Sequence, residues 1–301
     1  MRPATLATVT FCLTCCGGTS ATSLFADGAG TSQRPAEGEA APATSLLGEP
    51  TPRDAGPPEL ERWLLTIENQ SNNEVHRLVR ISLDPASLGE KLEICADVKL
   101  PPSVPKANII SSLTFNQERL YASGKGADEG DTLFLVDPCQ CAASVVGQYG
   151  YTFVAGITST GDQHMFGISG GQDVFLQVNP ATAVSTQLSE LGSDWNTVGL
   201  SWSGAERNTL WAIDGAQDRA IEYTVTGSMV GAPITLDYPF GSVGLEYHPG
   251  LRKLYACSDP GDLLEVDTTT GHVSIGPSLN QPGCNNLAAP YGRVACIPNI
   301  R

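Results

Sequence analysis

Val243-Gly244-Leu245-Glu246-Tyr247-His248-Pro249-Gly250-Leu251-Arg252-Lys253-Leu254-Tyr255-Ala256-Cys257 sets a short apolar run, a His-Pro-Gly turn and a second apolar run in sequence. Runs this short, bounded by Gly and Pro, predict strands rather than helices: Val243 to Tyr247, then Leu254 to Cys257. Leu263 to Asp267 reads as a third strand, Thr268 to Gly271 as a turn and Val273 to Leu279 as a fourth strand. The same order fits Val154 to Leu191 and Val198 to Leu236. Leu254-Tyr255-Ala256 is the last of four related segments. Leu120-Tyr121-Ala122, Met165-Phe166-Gly167 and Leu210-Trp211-Ala212 precede it, at intervals of 45, 45 and 44 residues.

A period of this length with four short strands per unit is that of one propeller blade. Runs such as Leu133-Phe134-Leu135-Val136 and Val174-Phe175-Leu176 are apolar at every position, as expected for strands covered on both faces by neighbouring sheets. The fold class is therefore all-β, a β-propeller of four-stranded blades. The first unit begins at Trp63 with a second-type strand and continues through Arg77 to Leu83 and Lys91 to Val98, with no first-type strand before it. Asn285 to Pro290 reads as a first-type strand with no complete blade after it. The C-terminal strand is thus expected to complete the N-terminal blade and close a ring of five blades, or of six if Arg293 to Ile297 adds a further second-type strand.

Leu264-Glu265-Val266-Asp267-Thr268-Thr269-Thr270-Gly271-His272-Val273 resembles the YVTN-type repeats of bacterial extracellular propellers, related in kind to NHL-like repeats. Val136-Asp137-Pro138 and Val178-Asn179-Pro180-Ala181-Thr182 are looser versions. The resemblance covers roughly residues 61 to 301 and implies a propeller in an exported setting. It implies no single activity, because fold does not fix function. Neither a Trp-Asp repeat signature nor the paired glycines of kelch blades recurs.

Ahead of the repeats, Arg2 and the apolar stretch Ala4 to Cys16 read as a signal peptide over residues 1 to 16, too short to span a bilayer. Leu13-Thr14-Cys15-Cys16-Gly17-Gly18 resembles a bacterial lipobox, which makes Cys16 the candidate lipidation site, although Cys15 stands where that motif has a small residue. Ordinary secretion is the alternative. Residues 17 to 60, rich in Ala, Gly, Pro, Ser, Thr and Glu, read as a disordered tether, since they hold too little apolar area to offset the entropy of ordering. Residues 61 to 301 form the propeller domain, and the location implied is extracytoplasmic, secreted or lipid-anchored at the cell envelope.

Six cysteines fall in that domain: Cys95, Cys139, Cys141, Cys257, Cys284 and Cys296. An even number in an oxidising compartment predicts disulfides. Cys257 with Cys284 and Cys95 with Cys296 are the pairings expected near the ring closure, and Cys139-Gln140-Cys141 is alternatively a reactive or metal-binding pair. The chain carries 17 Lys and Arg against 32 Asp and Glu, a formal net charge of -15. Nucleic acid is thereby excluded as a partner, because phosphate neutralisation needs a basic surface.

The most regular polar feature is an aspartate at the start of each third strand: Asp131, Asp173, Asp218 and Asp262. With Asp128, Glu129, Asp214 and Asp259 nearby, these residues are candidate metal ligands on a carboxylate-lined rim for calcium or a polyol, although no D-x-D-x-D-G calcium loop is present and no other cofactor is implied. The structural alternative is that Asp and Gly together make tight hairpins. Tyr121, Phe166, Trp211 and Tyr255 occupy one position per repeat and read as blade-to-blade core. Trp195 lies outside that pattern and is the candidate exposed aromatic for ligand contact. Gly167-Ile168-Ser169-Gly170-Gly171 matches G-x-S-x-G but lacks the strand-turn-helix setting of a nucleophile elbow. His76, His164, His248 and His272 share no spacing and read as solvated loop residues.

Two functions follow. The first is a non-enzymatic module holding a protein, glycan or small ligand, with membrane contact only through the lipid anchor. The second is a cation-dependent hydrolase or lyase with an acidic site in the central channel. An enzyme must bring at least three of the aspartates, or a histidine, into one pocket. Sites are best sought where the repeat breaks: Leu100 to Asn108, Cys139 to Cys141, and Trp195.

Overall fold

The computed structural model describes residues 61–70, 72–104, 109–124, 130–160 and 164–298. The signal-peptide, Cys16 and tether readings lie outside them, as do Asp128, Glu129 and residues 105–108 of the expected long connection. The described residues form an all-β propeller of five blades. Blade 1 contains β1 (Trp63–Gln70), β2 (Val75–Ser82) and β3 (Lys91–Cys95). Blade 2 contains β4 (Ile110–Asn116), β5 (Arg119–Gly124), β6 (Thr132–Asp137) and β7 (Ala142–Gln148). Blade 3 is β8 (Val154–Ser159), β9 (Met165–Ser169), β10 (Val174–Val178) and β11 (Ser185–Glu190). Blade 4 is β12 (Val198–Trp202), β13 (Thr209–Asp214), β14 (Arg219–Thr224) and β15 (Met229–Thr235). Blade 5 is β16 (Val243–His248), β17 (Lys253–Ser258), β18 (Asp262–Val266) and β19 (Val273–Ser278). Every blade is antiparallel with its strands in chain order.

Blade 1 has only three strands of its own, and the segment 285–290 supplies the fourth. Leu65 and Ala288 exchange both backbone hydrogen bonds, at 2.8 and 3.0 Å. Asn286 adds side-chain bonds to the amide and carbonyl of Ile67 and reaches the Ile110 carbonyl in blade 2. The ring is thus closed by the late segment expected to do so. Residues 293–297 form no sixth blade. Val294 and Ile297 instead bury themselves in the core between blades 1 and 2, and Cys296 is held by Cys139.

Burial falls from the axis outward. β8, β9 and β12 are buried at every position, whereas β15 is exposed at nearly all of them. Neighbouring inner strands also tie to one another through one side chain per blade. Ser112 accepts the Ile157 amide at 3.0 Å, Thr158 that of Trp202 at 2.9 Å, Ser201 that of Tyr247 at 2.7 Å, and Glu246 that of Ala289 at 3.3 Å. Gly156, Gly199 and Gly244 stand where those strands approach most closely. A Cβ on Gly244 would lie 2.6 Å from the backbone nitrogen of Asn286 in the closing segment.

Among the described residues three disulfides are present: Cys95–Cys141, Cys139–Cys296 and Cys257–Cys284. The expected Cys257–Cys284 bond forms, but the expected Cys95–Cys296 bond does not. Cys95 ends β3, and the chain beyond it runs along the outer edge of blade 2, where Lys99 bonds to Cys141 and Ala143. That path brings Cys95 to Cys141 and leaves Cys139 for Cys296. Cys139 and Cys141 are therefore neither a reactive pair nor a metal pair, since each is bonded elsewhere.

His76 and His248 are buried, which corrects the expectation of solvated loop histidines. Nδ1 of His248 accepts the Leu251 amide at 3.1 Å, so the ring is neutral, and burial lowers its pKa to about 4 with Arg62 adding to the effect. The unfolded chain takes up this proton near pH 6.5 and the folded one only near pH 4. Stability is therefore full above pH 6.5 and falls as the pH drops toward 4, by about 3 kcal/mol over that interval. Denaturation of His248→Asn, which keeps an acceptor near Nδ1, is expected to show a flatter profile over that window. Parallel profiles for wild type and variant would refute the assignment.

Candidate functional site

Each inner strand is entered from a loop on one face of the ring, and there the five entries enclose a pit of about 160 Å³. Ile109, Phe153, Thr197, Ser242 and Asn285 contribute one residue per blade, with Ser111, Ala155, Val198 and Val243 below them. The walls are chiefly apolar, and no lysine or arginine is among the described residues that line them. Ser111 makes only long bonds, of 3.3 Å, to the carbonyls of Ser123 and Val154. Asn285 uses its side-chain oxygen to accept from Asn286, which leaves its amide nitrogen without a partner among the described residues. Phe153 stands at the rim in the left-handed region, with φ of 55°. Strained backbone of this kind is concentrated at ligand sites.

Tyr291 covers the opposite end of the axis. Its ring lies 6.0 Å from that of Trp202 at the end of β12, and its hydroxyl donates to the carbonyl of Ser159 at the end of β8. Between the two ends lies the buried carboxyl of Glu246, whose pKa burial pushes well above the carboxylate range despite hydrogen bonds from Ala289 and Ser201. A carboxyl held neutral in the folded state weakens folding progressively as the pH rises above its unfolded value.

The four candidate metal ligands do not converge. Asp131 lines the pit, but its Oδ2 accepts the Val154 amide at 2.6 Å. Asp173 accepts the amide of Trp195 at 2.9 Å, and Asp218 that of Phe240 at 2.8 Å. Asp262 accepts the hydroxyl of Tyr238 at 2.9 Å. The first three carry out one job in successive blades, each tying the start of its third strand to the chain entering the next blade. Asp214 is taken by Arg219 at 3.1 Å. Among the described residues, no three of His, Cys, Asp and Glu are placed to hold one cation.

Asp218 also sits in the left-handed region, at φ 49°. Asp218→Ala is expected to lower stability by about 1.5–3 kcal/mol through loss of the charged acceptor. Asp218→Asn, which keeps an acceptor and tolerates that backbone, should cost well under half as much. Urea denaturation of both variants checks the order, and equal losses would show that the tie does not matter.

Trp195, expected to be exposed, is fully buried against Tyr223 with the Arg219 guanidinium over its ring. The amide tie to Asp173 pulls the connecting loop under the blade and takes the indole with it. Tyr121, Phe166, Trp211 and Tyr255 are buried between blades. Ser169, the serine of the G-x-S-x-G string, is wholly buried and donates to the Thr152 carbonyl and the Gln172 side chain. Of the pit's lining only Asp131 was among the candidate site residues of the sequence, although Ile109, Phe153, Thr197, Ser242 and Asn285 follow one another at 44, 44, 45 and 43 residues. The signal was spacing without chemical likeness, because the five side chains differ.

No family model matches the chain, and no curated protein matches it. A chain of the crystal structure of the nidogen/laminin complex matches with a TM-score of 0.51 at 10% identity, over 75% of this chain and 97% of that one. A structural genomics protein of unknown function from Bacteroides thetaiotaomicron matches at a TM-score of 0.46 and 15% identity, over 72% and 58% of the two chains. Glutaminyl cyclase from Myxococcus xanthus gives 0.41 and 15%, over 60% and 69%. At such identity the first likeness is one of fold alone. Three disulfides indicate an extracytoplasmic location.

Proposed function

We propose that this chain is a non-enzymatic, extracytoplasmic binding propeller whose axial pit receives a small uncharged group with an apolar body. The observation that carries this reading is the pit of about 160 Å³, built by one entry from every blade, with apolar walls and Asn285 at its rim. A cavity of this size accommodates a single benzene-sized group. The described residues of its lining offer no lysine or arginine to an anion. The cation-dependent hydrolase or lyase has less support, because Asp131, Asp173 and Asp218 act as blade ties and Asp214 and Asp262 are held by Arg219 and Tyr238. The YVTN-type resemblance fits an exported setting, and attachment through Cys16 belongs to the same proposal.

Thermal denaturation with benzyl alcohol and indole tests the pit. A ligand at about ten times its Kd stabilises by roughly 1.4 kcal/mol, which is expected to raise the melting temperature by a few degrees in wild type and not in Ser242→Trp, which fills the rim. A shift that persists in the filled variant, or no shift with either compound, overturns the reading. Mass spectrometry of the mature N-terminus tests the anchor, and an unmodified N-terminus downstream of Cys16 would remove it.

A further inference from the structure

Blades 4 and 5 contain an ion pair that blade 2 lacks, as does blade 3, where Gln177 stands opposite Phe166. In blade 4 the third-strand residue opposite Trp211 is Glu222, and in blade 5 the one opposite Tyr255 is Glu265. Each carboxylate holds a cation: Arg207 on Glu222, and Lys253 on Glu265 at 2.8 Å. Lys253 immediately precedes Leu254-Tyr255-Ala256, as Arg119 immediately precedes Leu120-Tyr121-Ala122. The residue opposite Tyr121, however, is Leu135. The Arg119 guanidinium accordingly makes no ion pair or hydrogen bond among the described residues, although its counterpart in blade 5 does.

The space beside it is open. A cavity of about 500 Å³ lies between blade 2 and the β10–β11 turn of blade 3, with Asn116, Arg119, Tyr121, Leu135, Ser144 and Pro180 among its lining. Asn116 is the cross-strand partner of Arg119 at the β4–β5 turn. It is 5% exposed, and its amide nitrogen is buried without a hydrogen-bond partner. An unpaired guanidinium thus lies in a groove with an apolar wall, and no acidic side chain is among the described residues of its lining. Guanidinium groups bind carboxylates through paired, charge-assisted hydrogen bonds. A single cation on a chain of net charge -15 favours a monoanion over a multiply charged ligand.

We propose that this groove binds small organic monocarboxylates with an apolar body, the ligand's carboxylate taking the place that Glu222 and Glu265 fill in blades 4 and 5. The site is separate from the axial pit. Isothermal titration of the full chain with 3-phenylpropionate and hexanoate, and with the corresponding amides, tests it. The acids are expected to bind with Kd of about 1 mM or tighter, and the amides at least about tenfold more weakly. Arg119→Gln, at an exposed position, should weaken acid binding by about tenfold or more, as should Leu135→Glu, which restores the internal partner. Ser242→Trp should leave acid binding unchanged, so failure here is distinct from failure at the pit. Equal binding of acids and amides, an unchanged Kd in Arg119→Gln, or no acid binding at about 10 mM overturns the proposal.

Discussion

Removing the Cys139–Cys296 bond, as Cys139→Ser with Cys296→Ser, is expected to cost about 5 kcal/mol by loop-closure entropy. The bond joins residues 157 apart and holds the chain that follows the closing segment against blade 2. The same estimate gives about 3.5 kcal/mol for the shorter loop of Cys257–Cys284, whose separation is 27. Cys257–Cys284 lies within the larger loop and shortens it in the unfolded chain, but the logarithmic dependence on length makes that correction small. Val294 and Ile297 lose their anchor when the bond is broken, which adds to the effect. Urea denaturation without reductant should rank the Cys139/Cys296 double variant below the Cys257/Cys284 one. The reverse ranking would mean that the closing segment holds the ring without help from its disulfide.

Trp195→Ala is expected to lower stability by about 3–5 kcal/mol, the range for emptying a buried aromatic site. The indole is fully buried, its amide is fixed by Asp173, and Tyr223 and Arg219 pack on the ring. An exposed aromatic would lose roughly 0.5 kcal/mol or less, so a small loss would restore the surface reading. Trp195→Phe should fall between the two, since it keeps part of the apolar volume.

Both effects arise where the repeat breaks and its period is no guide. The strands of blade 5 matched the sequence reading within a residue or two, because short apolar runs bounded by Gly, Pro and Asp are a local signal. The closing segment was legible for a different reason: an inner strand without a blade pairs with a blade without an inner strand. Cys257–Cys284 was legible in the sequence, but the other two disulfides were not, since the path of residues 96–100 along β7 is what brings Cys95 to Cys141. Trp195 was misread because burial depends on where a loop turns, and Asp173, 22 residues earlier, decides that turn.

The candidate sites divide in the same way. Asp131, Asp173 and Asp218 were visible as a periodic set, yet periodicity cannot distinguish ligands that converge from ties that each face a separate neighbour. The pit was invisible because its residues share a position without sharing a chemistry. Arg119 is equally inconspicuous in sequence, since what sets it apart is Leu135 at the position where blades 4 and 5 carry a glutamate.

The sequence by itself determined the all-β repeat, its period and the means of closing the ring, since strand length and turn chemistry act over a few residues at a time. Tertiary structure alone decided the partners of Cys95 and Cys139, the burial of Trp195 and His248, the work of the aspartates, and the two cavities. Each of those depends on which distant side chains meet, and that is fixed only when five blades pack around one axis.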